Sequence, residues 1–562
     1  MEILDYIVIV VFTLIIVGAG MSFRKGNANL KSYFAAGGAV PWSISSLSLF
    51  MSFFSAGTFV VWGSIAYQYG LVAVSIQLTM CVGGFLVGMF IAPAWRKTGA
   101  LTAAEFLRNR LNARTQQFYT YLVLFISLGY TGAFLYPVAK IINVSTGLDI
   151  NACIIGLGLL IILYTASGGL WAVIITDVLQ FVVLSAAVLI VVPLAIDKVG
   201  GLASFQESVP ADFFSITQGE YSWTFLIAFS IYNAIFIGGN WAYVQRYTSV
   251  SSTRSAKKVG YLFSFLYLVS PLIWMLPPML YRGVSADLSG LENEGAYLLM
   301  CQEVLPAGMI GLMLGGMMFA TASSVNTTLN LASAIFTNDL FKVFRPSASE
   351  KKVMQVARWA TIIFGIGTIL VALMVPAAGG IVEVVLSIGA VTGCSLYGPP
   401  IWALFSKRHT SASILSCTII SLLINLFFKF LSPTLLDITL DRSAEMLLGA
   451  TLPFLLLATY EVYAAVKSSI SQEYLRYQAH SPESSNMSEQ ESEHEASLSE
   501  ENRYGIKVLS YTLSAIGILI GILGVIAKSN EWLVAGMGLL IVLVGQWLNQ
   551  KKKVKSLKSE NA

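Results

Sequence analysis

MSFFSAGTF, residues 51–59, interrupts what is otherwise a long apolar run from 42 to 69. Small residues and Gly57 fall where a membrane helix should be most regular, because lipid offers no partner to a freed backbone N–H or C=O. A second interruption, Asn233 followed by Gly238-Gly239-Asn240, lies inside the apolar run 222–245. Working outward from these two, windows of about 19 residues place fifteen spans near 5–22, 42–69, 71–95, 116–142, 150–169, 172–196, 222–245, 259–281, 296–337, 355–376, 380–405, 411–431, 444–466, 507–527 and 531–549. The two interrupted spans are five apart. Paired glycine-broken helices in corresponding halves are the mark of an inverted-repeat membrane protein whose binding site lies between the repeats. The competing reading is tight packing by small residues, which is common between membrane helices.

Of 562 residues, 56% are hydrophobic and 11% charged, about half the charged share of a soluble domain. The first run has Glu2 and Asp5 before it and Arg24, Lys25 and Lys31 after it. That is the reverse of a secretory signal, so it is read as a retained helix with its N-terminus outside. The loops then predicted to be cytoplasmic carry Arg96, Lys97, Arg108, Arg110 and Arg114; Arg246, Arg254, Lys257 and Lys258; Lys342, Arg345, Lys351 and Lys352; Lys407 and Arg408. External loops hold little beyond Lys198, Arg282, Arg442 and Lys528, and the tail Lys551 to Lys558 places the C-terminus inside. The bias obeys the positive-inside rule. The expectation is an all-α, multi-pass protein of the cell (inner) membrane.

Net charge is +4 with no single basic stripe, which excludes a nucleic-acid footprint. Cys81, Cys153, Cys301, Cys394 and Cys417 are scattered singly and suggest neither disulfides nor a metal cluster. No nucleophile with a base occurs in the spans, which argues against an enzyme. His409, His480 and His494 fall in predicted cytoplasmic segments, leaving Asp177 and Glu383 as proton carriers for a proton-coupled alternative. A sensor would need a soluble signalling domain larger than the cytoplasmic loop or tail. From about 467 to 506 the chain turns polar around SPESSNMSEQESEHEASLSEEN, and disorder is expected there. The chain divides into an extra helix and loop (1–41), a transport core (42–410), two further helices (411–466), that loop (467–506), and two C-terminal helices with a basic tail (507–562).

GGMMFATASSVNTTLNLASAIFTNDLF, residues 315–341, carries Ala320, Ser323, Ser324 and Thr327 at i, i+3, i+4, i+7 spacing, so three hydroxyls share one face. A small hard cation wants oxygen ligands, and hydroxyls with freed carbonyls supply them without a buried carboxylate. The alternative is that these hydroxyls bond their own helix or a neighbour.

The chain resembles the sodium/solute symporter family through SAGTFVVWGSIAYQYGL (55–71), GGLWAVIITDVLQ (168–180), VQRYTS (244–249) and ASSVNTTLNLASAIFTNDLFK (322–342). The last is the most specific, with its double serine, Asn330 and IFTxD. The resemblance implies a leucine-transporter-like 5+5 inverted repeat with flanking helices. It also implies a first sodium site formed by the carbonyls of Met51, Phe54 and Ala320 and the hydroxyls of Ser323 and Ser324, with Ser55 beside it. Where some relatives carry Asp or Asn before the first break, this chain has Phe53. A second sodium would be held by Asp177 with Ser323, Asn326 and Thr327; the other role open to Asp177 is a cytoplasmic-side gate or a salt bridge to a loop arginine.

The resemblance further places Thr58, Gln77, Tyr130, Asn233 and Tyr267 at solute-binding positions, with Phe236 as an aromatic gate. Gln77 and Tyr267 stand where a galactose carrier has charges, and Tyr130 where a sialic acid carrier has arginine. Lys140 could hold an anion, although snorkelling to the interface is the commoner role for a lysine near a span end. A neutral sugar or polyol moved with sodium by a monomer is therefore expected, with a sugar acid, other carboxylate or amino acid as the alternative.

Overall fold

The structure, a computed structural model, describes residues 1–22, 40–54, 56–100, 102–164, 170–341, 345, 347–480, 490–527 and 530–560; at some of these, including 323, 326, 327 and 330, it describes the backbone only. Every regular element among them is helical. Among the described residues, nine helices are long and apolar enough to cross a membrane, or ten with one bent pair, and five shorter apolar helices occupy the remaining runs. Such runs become helices because, in lipid, each backbone group must be satisfied within its own segment.

The segment 42–410 is organised by its two breaks. Helix α1 (Ile3–Met21) precedes α2 (Trp42–Met51), which ends at the first interruption. There the N–H groups of Ser52, Phe53 and Phe54 turn back on the carbonyls of Ser48, Leu49 and Phe50. The Thr58 hydroxyl donates to the Phe53 carbonyl at 2.8 Å, and a π-helical turn, Thr58–Trp62, leads the chain on. Helix α3 (Leu71–Leu86) comes next, then the short α4 (Ala103–Arg110), the long α5 (Ala113–Thr146) and α6 (Leu170–Lys198).

At the second interruption α7 (Trp223–Gly239) meets α8 (Trp241–Thr248) at 62°. Asn240 forms the corner, its side-chain oxygen accepting from the Ala242 N–H at 3.0 Å. Trp95 Nε1 donates to the Gly238 carbonyl at 2.7 Å, and the Tyr247 hydroxyl to that of Ile237 at 3.1 Å. These side chains do for the freed carbonyls what water cannot. Gly239 has no substitute at this corner, since a Cβ would stand 2.7 Å from that of Tyr397.

Beyond α9 (Thr253–Trp274), the sequence reads 296–337 as one span, and the structure divides it. A short helix, Ala296–Val304, ends at an extended Leu305 before Pro306; Gly308 at φ +85 then opens α10 (Met309–Ile335). Proline disfavours helix in the residue before it and cannot continue one, a boundary that the apolar composition hides. Helix α11 (Ile381–Phe405) begins where Glu294, from the turn before the short helix, accepts from the Ile381 N–H at 3.0 Å and from the Tyr136 hydroxyl at 2.9 Å. Burial raises the Glu294 carboxyl above its usual range, against the pull of these two donors and of Lys140.

The 467–506 stretch is not wholly irregular. Helix α12 (Gln472–His480) docks on α4, with Tyr477 edge-on to Phe106 and the Arg110 guanidinium over the Tyr474 ring at 5.0 Å. Glu473 accepts from both the N–H and the hydroxyl of Ser411. Residues 481–489 lie outside the described residues, and α13 (Gln490–Ile526) then packs along α14 (Glu531–Glu560). An amphipathic segment of nine residues was too short to stand out from its polar surroundings.

Helix α9 and the π-helical turn Val87–Ile91 that continues α3 approach so closely that a Cβ on Gly260 would lie 2.4 Å from the Gly88 Cα. Gly260→Ala should therefore force backbone apart and destabilise the fold by about 1–3 kcal/mol. Gly156→Ala, whose methyl would meet nothing within 4 Å, is the control; comparison of the two melting temperatures in detergent checks this.

Candidate functional site

The two breaks and α10 converge. The Ala56 N–H, just past the first break, donates to Thr321 Oγ1 of α10 at 3.3 Å. Next to that contact lie Ala320, which is buried, and Ser324. The Ser324 hydroxyl donates to the Ala320 carbonyl at 3.3 Å, and Thr328 donates to the Ser324 carbonyl at 3.0 Å. In this state the Ser324 hydroxyl thus bonds within its own helix.

Met51 is the last residue of α2; the carbonyls of Ser48, Leu49 and Phe50 before it accept from the N–H groups of residues 52–54, and Phe54 is buried in the break. The side chains of Ser323, Asn326, Thr327 and Asn330, and Ser55 altogether, lie outside the described residues.

Asp177 on α6 is 5% exposed. Its Oδ2 accepts from the Ser48 hydroxyl at 2.7 Å and stands 3.9 Å from the guanidinium of Arg246. Arg246, counted among loop cations from sequence, is 3% exposed on α8, and its carbonyl accepts from the Ser45 hydroxyl at 2.9 Å. One buried junction therefore ties both broken helices, α2 and α8, to α6. The salt bridge left open for Asp177 is with this arginine.

A cavity enclosing about 710 Å³, its open mouth included, reaches from Asp177, Arg246, Ser52, Ser324 and Thr328 to a cage of rings: Tyr130, Phe236, Tyr243 and Tyr397. Phe236 is the hub, its ring centroid 5.6 Å from Tyr130, 5.7 Å from Tyr243 and 5.7 Å from Tyr397. Two of the six solute candidates, Tyr130 and Phe236, line the cavity. The other four are not among its lining residues: the Thr58 hydroxyl donates to the Phe53 carbonyl, Asn233 donates to Thr79 at 2.8 Å, Tyr267 meets Phe50 and Phe263, and Gln77 is 3% exposed. Ser127, Tyr243 and Tyr397 also line the cavity without having been singled out from sequence, as does Asn240, read there only as part of the second break.

Two broken helices tied around an open-mouthed cavity of rings and polar groups are the architecture of a multi-pass secondary transporter. A family profile described as "Sodium:solute symporter family" matches residues 33–421, and the chain belongs to that family. The sodium/glucose cotransporter of Vibrio parahaemolyticus is 26% identical over 475 residues, covering 76% of this chain and 85% of that one. The sodium/sialic acid symporter SiaT of Proteus mirabilis is 27% identical, covering 72% and 85%, and the human sodium/iodide cotransporter 27%, covering 73% and 67%. Among solved structures, a substrate-bound, outward-open sodium-coupled sialic acid symporter superposes with a TM-score of 0.69 at 22% identity, over 84% of this chain and 99% of that one. A nucleobase-cation-symport-1 family transporter gives 0.53 at 16%, over 80% and 99%. These two likenesses establish the fold; the family establishes sodium as the coupling ion and a small molecule as the solute.

Removing one member of a buried ion pair leaves the other uncompensated, at a cost of about 3–5 kcal/mol. Arg246→Met should therefore lower the melting temperature more than the double variant Arg246→Met/Asp177→Leu does. A double variant no more stable than the single would show that the pairing does not matter to the fold.

Proposed function

We propose that this symporter carries a small neutral, hydroxyl-bearing solute, a sugar or polyol, into the cell by alternating access. The observation that carries the reading is the cavity wall. Its two charged side chains, Asp177 and Arg246, face each other at 3.9 Å, so a solute meets ring faces and the hydroxyl and amide groups of Tyr130, Tyr397, Ser127 and Asn240. A carboxylate would have to draw Arg246 away from Asp177. The relative that carries sialic acid keeps a sugar acid as the second reading, and amino acids as a third.

In this proposal all fifteen apolar segments cross the cell (inner) membrane, with the N-terminus outside and the 5+5 repeat within 42–410, and the protein works as a monomer. Sodium is held by the carbonyls of Met51, Phe54 and Ala320 with Ser323 and Ser324. A second ion is held by Asp177 with Ser323, Asn326 and Thr327, and Phe236 gates the solute. Sodium stabilises the arrangement in which α2 and α10 are close, because only there do its ligands meet.

A membrane potential supplies roughly 2.3 kcal/mol per charge per 100 mV, and a tenfold sodium gradient about 1.4 kcal/mol. One ion thus supports roughly 500-fold accumulation of a neutral solute, and two ions about the square of that.

In proteoliposomes, labelled sugars or polyols should accumulate only with an inward sodium gradient, and Ser323→Ala or Ser324→Ala should reduce accumulation sharply. Equal uptake with choline in place of sodium would defeat the reading. Asp177→Ala should change the sodium Hill coefficient; an unaltered coefficient removes the second ion.

A further inference from the structure

We infer that Asp5, on the helix that precedes the transport core, is a positioning residue for sodium binding. It closes the exposed end of the helix that carries the proposed sodium ligands and fixes where that helix stands; the inference rests on the first sodium site as placed above.

Helix α10 has no N-terminal cap of its own, because the residue at its cap position is Gly308, without a side chain. Its first N–H groups would be orphaned in a dry environment. Asp5 supplies the acceptor from 303 residues away: its Oδ1 accepts from the Gly308 N–H at 2.7 Å and from the Gly311 N–H at 3.1 Å. The other oxygen, Oδ2, is held by the Glu2 N–H at 2.8 Å. Asp5 is 1% exposed, so water does not compete for these bonds. A carboxylate at this end of a helix also meets the positive pole of its dipole.

The contact continues along α10. A Cβ at Gly311 would lie 2.2 Å from the Asp5 carbonyl oxygen, and one at Gly315 would lie 2.9 Å from the Phe12 ring. Phe12 meets Phe319 edge-on at 6.2 Å. Val8, Phe12 and Ile16, four residues apart, are all buried on this face. The seam therefore runs from the capped end to the residue before Ala320. On the other side, Thr321 accepts from the Ala56 N–H at the first break. Oxygen ligands on two helices bind one ion only if their relative axial position is set to within fractions of an ångström. The cap and the seam set it for α10.

The test uses radioactive sodium binding to the purified full-length protein, which needs no knowledge of the solute. Asp5→Ala should raise the half-saturating sodium concentration roughly tenfold, a modest loss for a charged cap. Asp5→Asn keeps one acceptor oxygen and should raise it by less, about threefold. A residue that served stability alone would lower the sodium-free melting temperature and leave half-saturation where it was. A folded Asp5→Ala protein with wild-type half-saturation overturns the inference. Where Asp5→Ala does not fold, Gly311→Ala carries the test, with a raised value supporting and an unchanged value overturning it. Ser324→Ala is run alongside. If it binds sodium as the wild type does, the sodium-site reading fails; if it weakens binding while Asp5→Ala does not, the cap alone fails.

Discussion

Interrupting a helix inside a bilayer releases N–H and C=O groups where there is no water to receive them, and much of this structure answers that constraint. At the first break the N–H groups of residues 52–54 fold back on their own helix and Thr58 closes over Phe53. At the second, Trp95 and Tyr247 serve the carbonyls of Gly238 and Ile237 while Asn240 caps α8. The ends of α10 and α11 obey the same rule through the carboxylates of Asp5 and Glu294. A transporter gains from broken helices because freed carbonyls can meet an ion and a bent corner can meet a solute; the surrounding side chains keep those breaks tolerable.

Both breaks were legible in the sequence because a cluster of glycine and small polar residues interrupts each apolar run. Of the hydroxyl stripe expected on α10, Ser324 is the member whose side chain is described, and it donates within its own helix. What sequence could not supply was pairing across long separations. Arg246 reads as one more loop cation, and only the fold brings it to Asp177 and Ser48. The apolar run 296–337 hid a short helix and a turn, because composition alone does not say which way an apolar helix lies. Tyr397 and Ser127 were invisible for a similar reason: aromatic rings and single serines are common in membrane helices, and cavity-lining ones look like any others.

The cavity joins two chemistries. At one end Asp177, Arg246, Ser52 and Ser324 gather oxygen and charge; at the other, four rings surround a polar corner. A ring-lined wall gives contact area with little loss of side-chain freedom, and hydroxyls on Tyr130 and Tyr397 supply direction. Since Ser48 and Ser45 of α2 reach Asp177 and the Arg246 carbonyl, any event that changes the charge at Asp177 is felt at both broken helices together.

The carboxylate that closes α10 also bears on how the chain is made. Asp5 leaves the ribosome some 303 residues ahead of the N–H groups it serves. Until the later helix arrives, Oδ1 lacks both of its donors and only Oδ2 keeps its local bond to the Glu2 N–H, so this seam can close only after α10 has formed.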